Sequence, residues 1–327
     1  MFSNIIKDMS FKTDKELIEY ISTTTKINNL DNISRTKAYE NFYFRFPEIR
    51  WAFLAGMVSR NAGWSMTDLK GTWFRKALNE EVRSLLFMTY ERANWLIFRD
   101  AFPQLLIYEF SKRYNKPLFY LLKEFDVSSF MIKEWEHFWK KAEIDHLVTA
   151  LIINEQNVIQ GPVIEHKLYK KHIFKSKNFR LQELLHFSTV VFPTLQGKLF
   201  GFSVYQFNHL TKRIELGKRL AWLMFHSGLY DEFTAFAKTV VHTGTRFDYE
   251  FYMPVKRKRE TPLLRTTYPM VSHPLDENKK DWFHEQNTEK WFKEINIPNK
   301  YELTEWFSHK QDQLHLLSIL KEYIRNG

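Results

Sequence analysis

The chain has 327 residues, of which 44% are hydrophobic, and this is enough to bury one large core or two ordinary ones. Its 48 Lys and Arg outnumber its 38 Asp and Glu, so the formal net charge is +10. Cysteine is absent, which excludes a disulfide framework and thiolate metal sites and predicts a cytoplasmic location. No stretch is apolar over the length of a bilayer, so we expect no transmembrane segment.

Few helix breakers and long periodic apolar patterns predict an all-α fold. Only 10 Gly and 10 Pro occur in the whole chain. Thr13 and Glu16 form a capping-box pattern at the start of a first helix over residues 13–27. Ser34 is the expected cap of a second helix, which should stop at Pro47.

The stretch from Trp51 to Gly71 combines an apolar helical pattern with a group of polar residues. We expect its helix to end near Gly63 and a further helix to begin at Ser65, with Asp68 in the capping-box position. Such a corner would expose helix N–H groups that can hold an anion. The alternative is that Asp68 only caps the helix and pairs with Arg60.

The longest periodic pattern runs from Asn79 to about Tyr114, with an expected kink at Pro103. Within it, Glu91 and Asn94 share a stripe with large apolar side chains, which indicates burial. A buried carboxylate is unfavourable unless it is paired, so other parts of the chain must supply its partners.

The same combination of a carboxylate and an amide on an apolar stripe recurs later. Asp100 lies among apolar positions of the long helix. Shorter helices should follow from Pro117 and Ser128, and a helix over residues 143–160 carries Asn154 and Glu155 on its apolar side.

The second half of the chain contains the only segment that resembles a strand, residues 189–194. A helix from Thr211 should carry Arg213 and Glu215 in its first turns. After one more helix comes a compact polar loop, residues 242–249.

We expect one large helical domain with an appended arm. The core would cover residues 1–254, and residues 255–299 would form an extended, basic, proline-containing arm. Residues 300–327 would form closing helices that pack on the core, the first of them begun by a capping box of Asn299 and Glu302.

Several chemistries lack the residues that they need. The sequence has no P-loop, no dinucleotide-binding glycine pattern and no HExxH motif. Two Glu-x-x-His pairs, Glu134 with His137 and Glu143 with His146, are nearly adjacent, whereas a di-iron site takes such pairs from separate helices. We therefore expect no metal site, and the sequence identifies no cofactor.

The remaining signal is a set of polar residues in apolar surroundings. The candidates for moving a proton are Glu91, Glu155 and His242. The candidate ligand-binding residues are Arg60, Asn61, Arg92, Asn94, Asp100, Asn154, Arg213, Glu215, Arg246 and Asp248.

Three interpretations of this set are open. The residues can form a mutually satisfied network that only fixes helix packing. They can line a central pocket in which arginines hold a small anionic ligand that the protein binds or turns over. Alternatively, the protein is a non-enzymatic interaction protein whose basic surface meets nucleic acid, an anionic membrane or a protein partner.

Five segments follow one another in the order VSRNAGWSMTDLKG, ERANWLIFRDAFPQLLIYE, LIINEQ, RIELGKRLAWLMF and HTGTRFDYE. They resemble the YppC-like family of uncharacterised proteins from spore-forming bacilli, a domain-of-unknown-function family. The resemblance covers roughly residues 30 to 254 and includes all the candidate residues, which favours a shared site. It implies no reaction, and the arm lies outside it.

Buried charges need partners, and the simplest arrangement is convergence on one centre. We expect Glu91 and Glu155 to lie on facing helices. An open cavity would favour the pocket, and tight ion pairs would favour the packing network. The charged residues expected in one region are Arg60, Glu91, Asp100, Glu155, Arg213, Glu215, Arg246 and Asp248.

Overall fold

The fold is predominantly helical and contains one small two-stranded sheet, so the predicted fold class is confirmed. The computed structural model describes residues 11–166, 189–204, 206–255, 260–274, 281–284 and 287–313. Within these ranges, no helix is both long enough and apolar enough to cross a membrane.

The secondary structure alternates long helices with short connections. The helices of the first half are α1 (Asp14–Asn28), α2 (Asn32–Tyr43), α3 (Arg50–Asp68), α4 (Thr72–Ala77), α5 (Glu80–Tyr114), a 3₁₀ helix (Phe119–Phe125), α6 (Ser129–Lys141), α7 (Ile144–Val158) and a π-helical turn (Gln160–Ile164). The later elements are β1 (Thr189–Pro193), β2 (Leu199–Ser203), α8 (Leu210–Phe225), α9 (Tyr230–Thr239), α10 (Phe247–Glu250), α11 (Leu264–Thr267), α12 (Glu289–Phe292) and α13 (304–313).

The first two helices begin at side-chain caps. Thr13 Oγ1 accepts a hydrogen bond from the Glu16 backbone N–H at 3.2 Å, as its capping-box position predicts. The cap of α2 is Asp31, whose Oδ1 accepts from the Ser34 N–H at 2.7 Å. The prediction that Ser34 is the cap is wrong, because Ser34 occupies the position that donates to the cap.

Helix α3 continues through Gly63 to Asp68, so the predicted break between two helices is wrong. A Cβ at Gly63 would lie 2.4 Å from Oδ1 of Asn32 and 2.9 Å from Nε2 of His242. Glycine is therefore needed there for a close approach between side chains and the helix, and not to end it. Asp68 stands at the C-terminal end of α3, so the expected anion-binding corner does not form, and Arg60 does not pair with it.

The long helix α5 is the element on which much of the fold packs. It has 35 residues and begins where the periodic pattern predicted, and Oδ1 of Asn79 caps it by accepting from the Val82 N–H at 2.9 Å. Pro103 lies inside the helix. At 1.5 Å per residue α5 is about 50 Å long, and α1, α2, α3 and α7 all contact it. Its length places Glu91 and Asp100 beside different partners.

Large aromatic side chains fill the main core. Trp51, Trp64 and Trp135 are fully buried, and Tyr39 packs edge-on against Trp51 at 5.5 Å between ring centroids. Burial of such rings supplies most of the apolar area that stabilises a core of this kind. A separate apolar cluster joins the end of α3 to the start of α5 and includes Leu264.

The two strands form an antiparallel hairpin on the surface of the helices. The predicted strand is present as β1, whereas its partner β2 carries no alternating pattern in the sequence. Asn61 of α3 holds β1, because its Oδ1 accepts from the Val191 N–H at 3.0 Å. On the other side, the Gly201 N–H donates to the Tyr301 carbonyl at 2.9 Å.

Residues 260–274, which we call the strap, lie against the core. The Leu264 N–H donates to the Thr243 carbonyl at 3.1 Å. The Tyr268 ring stacks on Phe87 with centroids 3.8 Å apart, and its hydroxyl donates to the Met66 carbonyl at 2.9 Å. These contacts fix the strap over the junction of α2, α3 and α5.

The predicted division into a core, an arm and closing helices stays a prediction. Helix α13 begins at residue 304, so Asn299 is not its cap. The basic run at residues 256–259 and the expected last helix after residue 313 lie outside the described residues.

Candidate functional site

One group of candidate residues packs between α3 and the polar loop that precedes α10. We call Trp64, Asp68, His242, Arg246 and Asp248 the loop cluster. All five are buried. Oδ2 of Asp248 accepts from Nε1 of Trp64 at 3.0 Å, and the neighbouring Thr243 donates to it through its N–H at 3.0 Å. The loop is therefore attached to α3 by a carboxylate with several donors.

Asp68 and Arg246 form the ion pair of the loop cluster. Nε of Arg246 lies 2.5 Å from Oδ1 of Asp68, and Nη2 contacts Oδ2. Burial raises the pKa of Asp68, and it also opposes the charge of Arg246, but the carboxylate of Asp68 outweighs this and raises the pKa of Arg246. Two guanidinium nitrogens hold both carboxylate oxygens, and this geometry favours the charged form of both groups.

His242 links the loop cluster to α2. Its Nε2 lies 2.8 Å from Oδ1 of Asn32, and its Nδ1 lies 3.4 Å from Oδ2 of Asp248. Burial lowers the pKa of His242, although Asp248 opposes this. The nearby hydroxyl of Ser59 already accepts from Asn32 and Thr36. Nδ1 of His242 has no hydrogen bond among the described residues, but the ring is buried between Asn32 and Asp248, so side chains of the protein surround it.

Arg60 lies one turn before Trp64 on α3 and is 1% exposed. Its Nη2 donates to the Val240 carbonyl, and its Nε lies 3.5 Å from Oε1 of Glu40, while Nε and Nη1 have no hydrogen bond among the described residues. Its guanidinium carbon lies 5.5 Å from the Phe236 ring centroid. Burial raises the pKa of Glu40 and lowers that of Arg60. Both effects come from the low-dielectric surroundings of the pair.

Asp100 and Asn154 form a second group, between α5 and α7. Oδ2 of Asp100 accepts from Nδ2 of Asn154 at 2.6 Å and from Nε2 of Gln104 at 2.8 Å. Oδ1 of Asn154 in turn accepts from the Ser128 hydroxyl and from the Trp282 indole, each at 2.9 Å. This network joins α5, α6, α7 and the residues around Trp282.

Glu155 and Arg213 are connected through Gln156. Glu155 accepts from Nε1 of Trp51 and from Nε2 of Gln156, each at 3.1 Å, and among the described residues it contacts no cation. Burial raises the pKa of Glu155 to about 7, although part of the residue remains exposed. Nε of Arg213 donates to Oε1 of Gln156 at 2.9 Å.

Arg213 is bound only by neutral acceptors among the residues that the structure describes. Its other nitrogens donate to the carbonyls of Phe207 and Gln156 and to Oε1 of Gln160. Burial lowers the pKa of Arg213 to about 10. The guanidinium therefore fixes the start of α8 to the end of α7.

Glu91 has a different environment from the other candidates. Its Oε2 lies 2.5 Å from Nη2 of Arg35, in a pair with little exposure. Its Oε1 is buried and has no hydrogen-bond partner among the described residues. Nε2 of His273, in the strap, lies 3.6 Å from this oxygen, which exceeds the length of a hydrogen bond.

A cavity of about 480 Å³ lies between the strap and the core, and Glu91 lines it. We call it the Glu91 pocket. Most of its wall is apolar. At its rim, Leu30 and Met270 are 45% and 68% exposed and stand beside the ion pair of Asp31 and Arg265, so the entrance has an apolar and a charged part. The lining residues are Leu30, Asp31, Asn32, Met66, Phe87, Glu91, Leu264, Arg265, Tyr268, Pro269, Met270 and Val271.

The remaining candidates lie apart from these groups. Nη1 of Arg92 donates to the Pro274 carbonyl at 3.0 Å, and Asn94 donates to the Tyr90 carbonyl one turn back. Glu215 pairs with Lys212 at 3.0 Å on the surface. The structure thus brings Arg60, His242, Arg246 and Asp248 together and distributes the other candidates over separate contacts.

Sequence reasoning missed the partners that α2 supplies. Arg35 is fully buried, and Tyr39 and Phe42 follow it at helical spacing on the same buried side. A charged residue at helical spacing among apolar residues is also the pattern that marked Glu91 as buried, so Arg35 could have been found in the same way. His273 could not, because it stands in a segment without periodicity.

No cluster of metal ligands stands among the described residues. His146 lies 2.7 Å from Glu134, and His137 lies 2.9 Å from Glu143, so the two Glu-x-x-His motifs pair with each other across α6 and α7.

These features define a predominantly helical protein in which the Glu91 pocket adjoins a buried polar interior. Residues 27–308 match the family described as "Protein of unknown function (DUF2515)", and the chain belongs to this family. It is 49% identical over 311 residues to "Uncharacterized protein YppC" of Bacillus subtilis (strain 168), covering 95% of this chain and 97% of that protein. The resemblance noted in the sequence is confirmed, and it extends beyond residue 254 to include the strap. No solved structure matches the chain.

Proposed function

We propose that this protein binds a small molecule in the Glu91 pocket. The observation that carries the proposal is a cavity of about 480 Å³ lined by a buried carboxylate, one oxygen of which has no hydrogen-bond partner in the described part of the chain. Small-molecule sites commonly have such a volume, an apolar wall and a few polar groups that orient the ligand.

The arginines do not carry the proposal. An anionic ligand, as expected from the sequence, would use Arg60, Arg213 or Arg246. Each of these side chains already donates to carboxylate or carbonyl oxygens of the protein itself. A ligand at Arg213 or Arg246 would have to replace these bonds, which costs more than binding at a free group. Nε and Nη1 of Arg60 have no hydrogen bond among the described residues, but Arg60 is 1% exposed and lines neither the Glu91 pocket nor the surface groove described below.

Proton transfer is less well supported than binding. A carboxyl with a pKa of about 7, such as Glu155, has the value that suits a general base at neutral pH. Glu155 does not line the Glu91 pocket, and neither does His242. Binding alone is therefore proposed, with Glu91 as its polar contact.

A thermal-shift screen with a small-molecule library tests this proposal. Met270→Asp places a charge at the rim of the pocket, and Val241→Asp is the matched control, since Val241 is 78% exposed and does not line the pocket. We expect at least one compound to raise the melting temperature of Met270→Asp by a different amount from that of the wild type and the control. A screen in which every hit stabilises all three proteins equally would contradict the proposal.

A basic surface is the second candidate. Lys198, Lys300, His309 and Lys310 border a surface groove of about 880 Å³, which Glu302 and Glu305 also line, and Lys198 pairs with Glu302. The three lysines outnumber the two carboxylates, and together with the net charge of +10 this favours an anionic partner such as nucleic acid or a membrane surface. Binding of DNA or anionic liposomes that falls steeply with added salt would support it, and binding independent of salt would contradict it.

The absence of cysteine supports action in the cytoplasm.

A further inference from the structure

The polar groups that line the Glu91 pocket differ in how fully they are bonded. Asn32 is fully engaged, since its Nδ2 donates to the Ser59 carbonyl at 2.7 Å and its Oδ1 lies 2.8 Å from Nε2 of His242. The Tyr268 hydroxyl donates to the Met66 carbonyl. Neither side chain has a donor left to bind an anion, because both protons of Asn32 Nδ2 and the hydroxyl proton of Tyr268 are used within the protein.

The charged residues at the rim also bind each other. Nε of Arg265 donates to Oδ2 of Asp31 at 2.6 Å, and Nη2 donates to Oδ1 of Asp31 and to the Ser34 hydroxyl. The Arg265 side chain is 57% exposed, so solvent weakens any attraction that it exerts on a ligand. An anion in the pocket would meet one solvated guanidinium and the carboxylates of Asp31 and Glu91.

The group with unused capacity is an acceptor. Oε1 of Glu91 is a buried carboxylate oxygen without a hydrogen bond among the described residues, and it lies 3.6 Å from Nε2 of His273. A buried acceptor that is left unbonded is unfavourable by an amount comparable to its desolvation. A ligand gains most by donating to it, and a charged N–H donor forms the stronger bond.

The apolar side chains of the pocket wall indicate the chemistry of the other part of the ligand. Phe87 and Tyr268 stack with an angle of 5° between their rings, and Leu264 and Met66 belong to the same apolar cluster. Burial of an apolar body against these side chains would supply the hydrophobic part of the affinity.

We infer that the ligand is an apolar amine: its protonated nitrogen donates to Glu91, and its hydrocarbon part lies against Phe87, Leu264 and the rim residue Met270. This inference rests on the proposed function and names the chemical class of its ligand. It separates the pocket from a phosphate or carboxylate site, because the described residues that line the pocket include one exposed cation, Arg265, and no buried donor without a hydrogen bond. Nε of Arg35 and Nε2 of His273 are buried without a hydrogen bond, but neither residue lines the pocket.

Matched compounds test the inference. Phenethylamine, 2-phenylethanol and 3-phenylpropionate share an apolar body and differ in the polar end, and their dissociation constants can be measured by ligand-observed NMR and calorimetry at neutral pH. We expect the amine to bind about tenfold or more tighter than the carboxylate, with the alcohol between them.

Variants at the rim show whether the compounds occupy the pocket. Glu91→Gln is unsuitable alone, because it would leave Arg35 buried without a carboxylate and would disturb folding. Met270 is exposed, so a charged residue can replace it without disturbing the fold. Met270→Glu should tighten amine binding and Met270→Lys should weaken it, each by about twofold at low salt. Val241→Glu and Val241→Lys are the controls.

The outcomes separate the two proposals. Carboxylate binding that is as tight as amine binding, and sensitive to the Met270 variants, would overturn the amine inference and keep the pocket as a binding site. Alcohol binding equal to amine binding would overturn the requirement for a charged donor. A failure of all three compounds to bind more tightly than about 1 mM would overturn the amine inference, and the library screen would still decide the proposed function.

Discussion

The loop cluster and the Glu91 pocket are neighbouring regions that treat buried charge differently. Both include buried carboxylates on or beside α3 and α5, and Asn32 touches both. In the loop cluster, Asp68 and Asp248 are held by side chains of the same chain. In the pocket, Glu91 keeps one oxygen without a hydrogen bond beside a cavity.

The difference in packing between the two regions is explained by how closely their backbone segments approach each other. Gly63 lets His242 and Asn32 lie directly against α3, and Gly244, with φ of 78°, lies where a Cβ would be 2.6 Å from Cβ of Leu264. Gly63 allows the loop to close on α3, and Gly244 allows the loop to approach the strap. At the pocket, large side chains stand between strap and core, because Tyr268 stacks on Phe87. A pattern of buried polar residues in the sequence therefore does not reveal whether other side chains fill the space around them.

The largest expected effect on stability comes from removing the ion pair of Asp68 and Arg246 in the loop cluster. Arg246→Ala leaves Asp68 buried without its partner, and we expect the free energy of unfolding to fall by about 3–5 kcal/mol. Urea denaturation measures this. Arg265→Ala removes an exposed pair and should cost no more than about 1 kcal/mol. Equal losses in the two variants would show that the loop cluster is not tightly packed.

Gly63→Ala tests the close approach of loop and helix. Helix propensity alone would make the variant more stable by about 0.5–1 kcal/mol. The short distances to Asn32 and His242 reverse this, and we expect a net loss of about 1–3 kcal/mol. Gly56→Ala in the same helix is the control, because its nearest contact would be at 3.4 Å, and it should be neutral or stabilising. A stabilising Gly63→Ala would contradict the close contact.

The bonding of Glu155 is intermediate between that of the two regions. Its carboxylate accepts hydrogen bonds from neutral donors but contacts no cation in the described part of the chain. Its pKa is raised from 4.5 to about 7. Between these values the folded chain keeps a proton that the unfolded chain has lost, so this group's contribution to stability falls as pH rises from about 4.5 to about 7.

Glu155→Gln should remove that dependence. We expect the variant to be more stable than the wild type at pH 8 by about 1–2 kcal/mol, with the difference nearly gone at pH 5. Thermal melts at the two pH values measure it, and Glu215→Gln on the surface is the control. A variant that is less stable than the wild type at pH 8 would show that the charged form of Glu155 is favourable.

The smallest expected effect on stability is at the pocket. Met270→Asp should change the free energy of unfolding by less than about 0.5 kcal/mol, because the side chain is exposed at a rim. Differential scanning calorimetry without ligand measures this. A loss of several kcal/mol would mean that Met270 is packed and that the pocket is closed in solution.

The sequence predicted the helices with strong periodicity and clear caps, such as α5 with Asn79 and α1 with Thr13. It failed at Gly63, because a glycine that permits a close contact cannot be told locally from one that ends a helix. It marked Glu91 as buried. It could not show the pocket, since the strap that closes it is aperiodic and reaches Glu91 only through tertiary contacts.

A crystallographic fragment screen tests the central claim most directly, since it compares both regions in one experiment. We expect fragments to bind in the Glu91 pocket, with a donor group within hydrogen-bonding distance of Glu91, and none to enter the loop cluster. Density that shows the pocket closed by the protein's own side chains, with no fragment bound, would contradict the claim that this region is left open for a ligand.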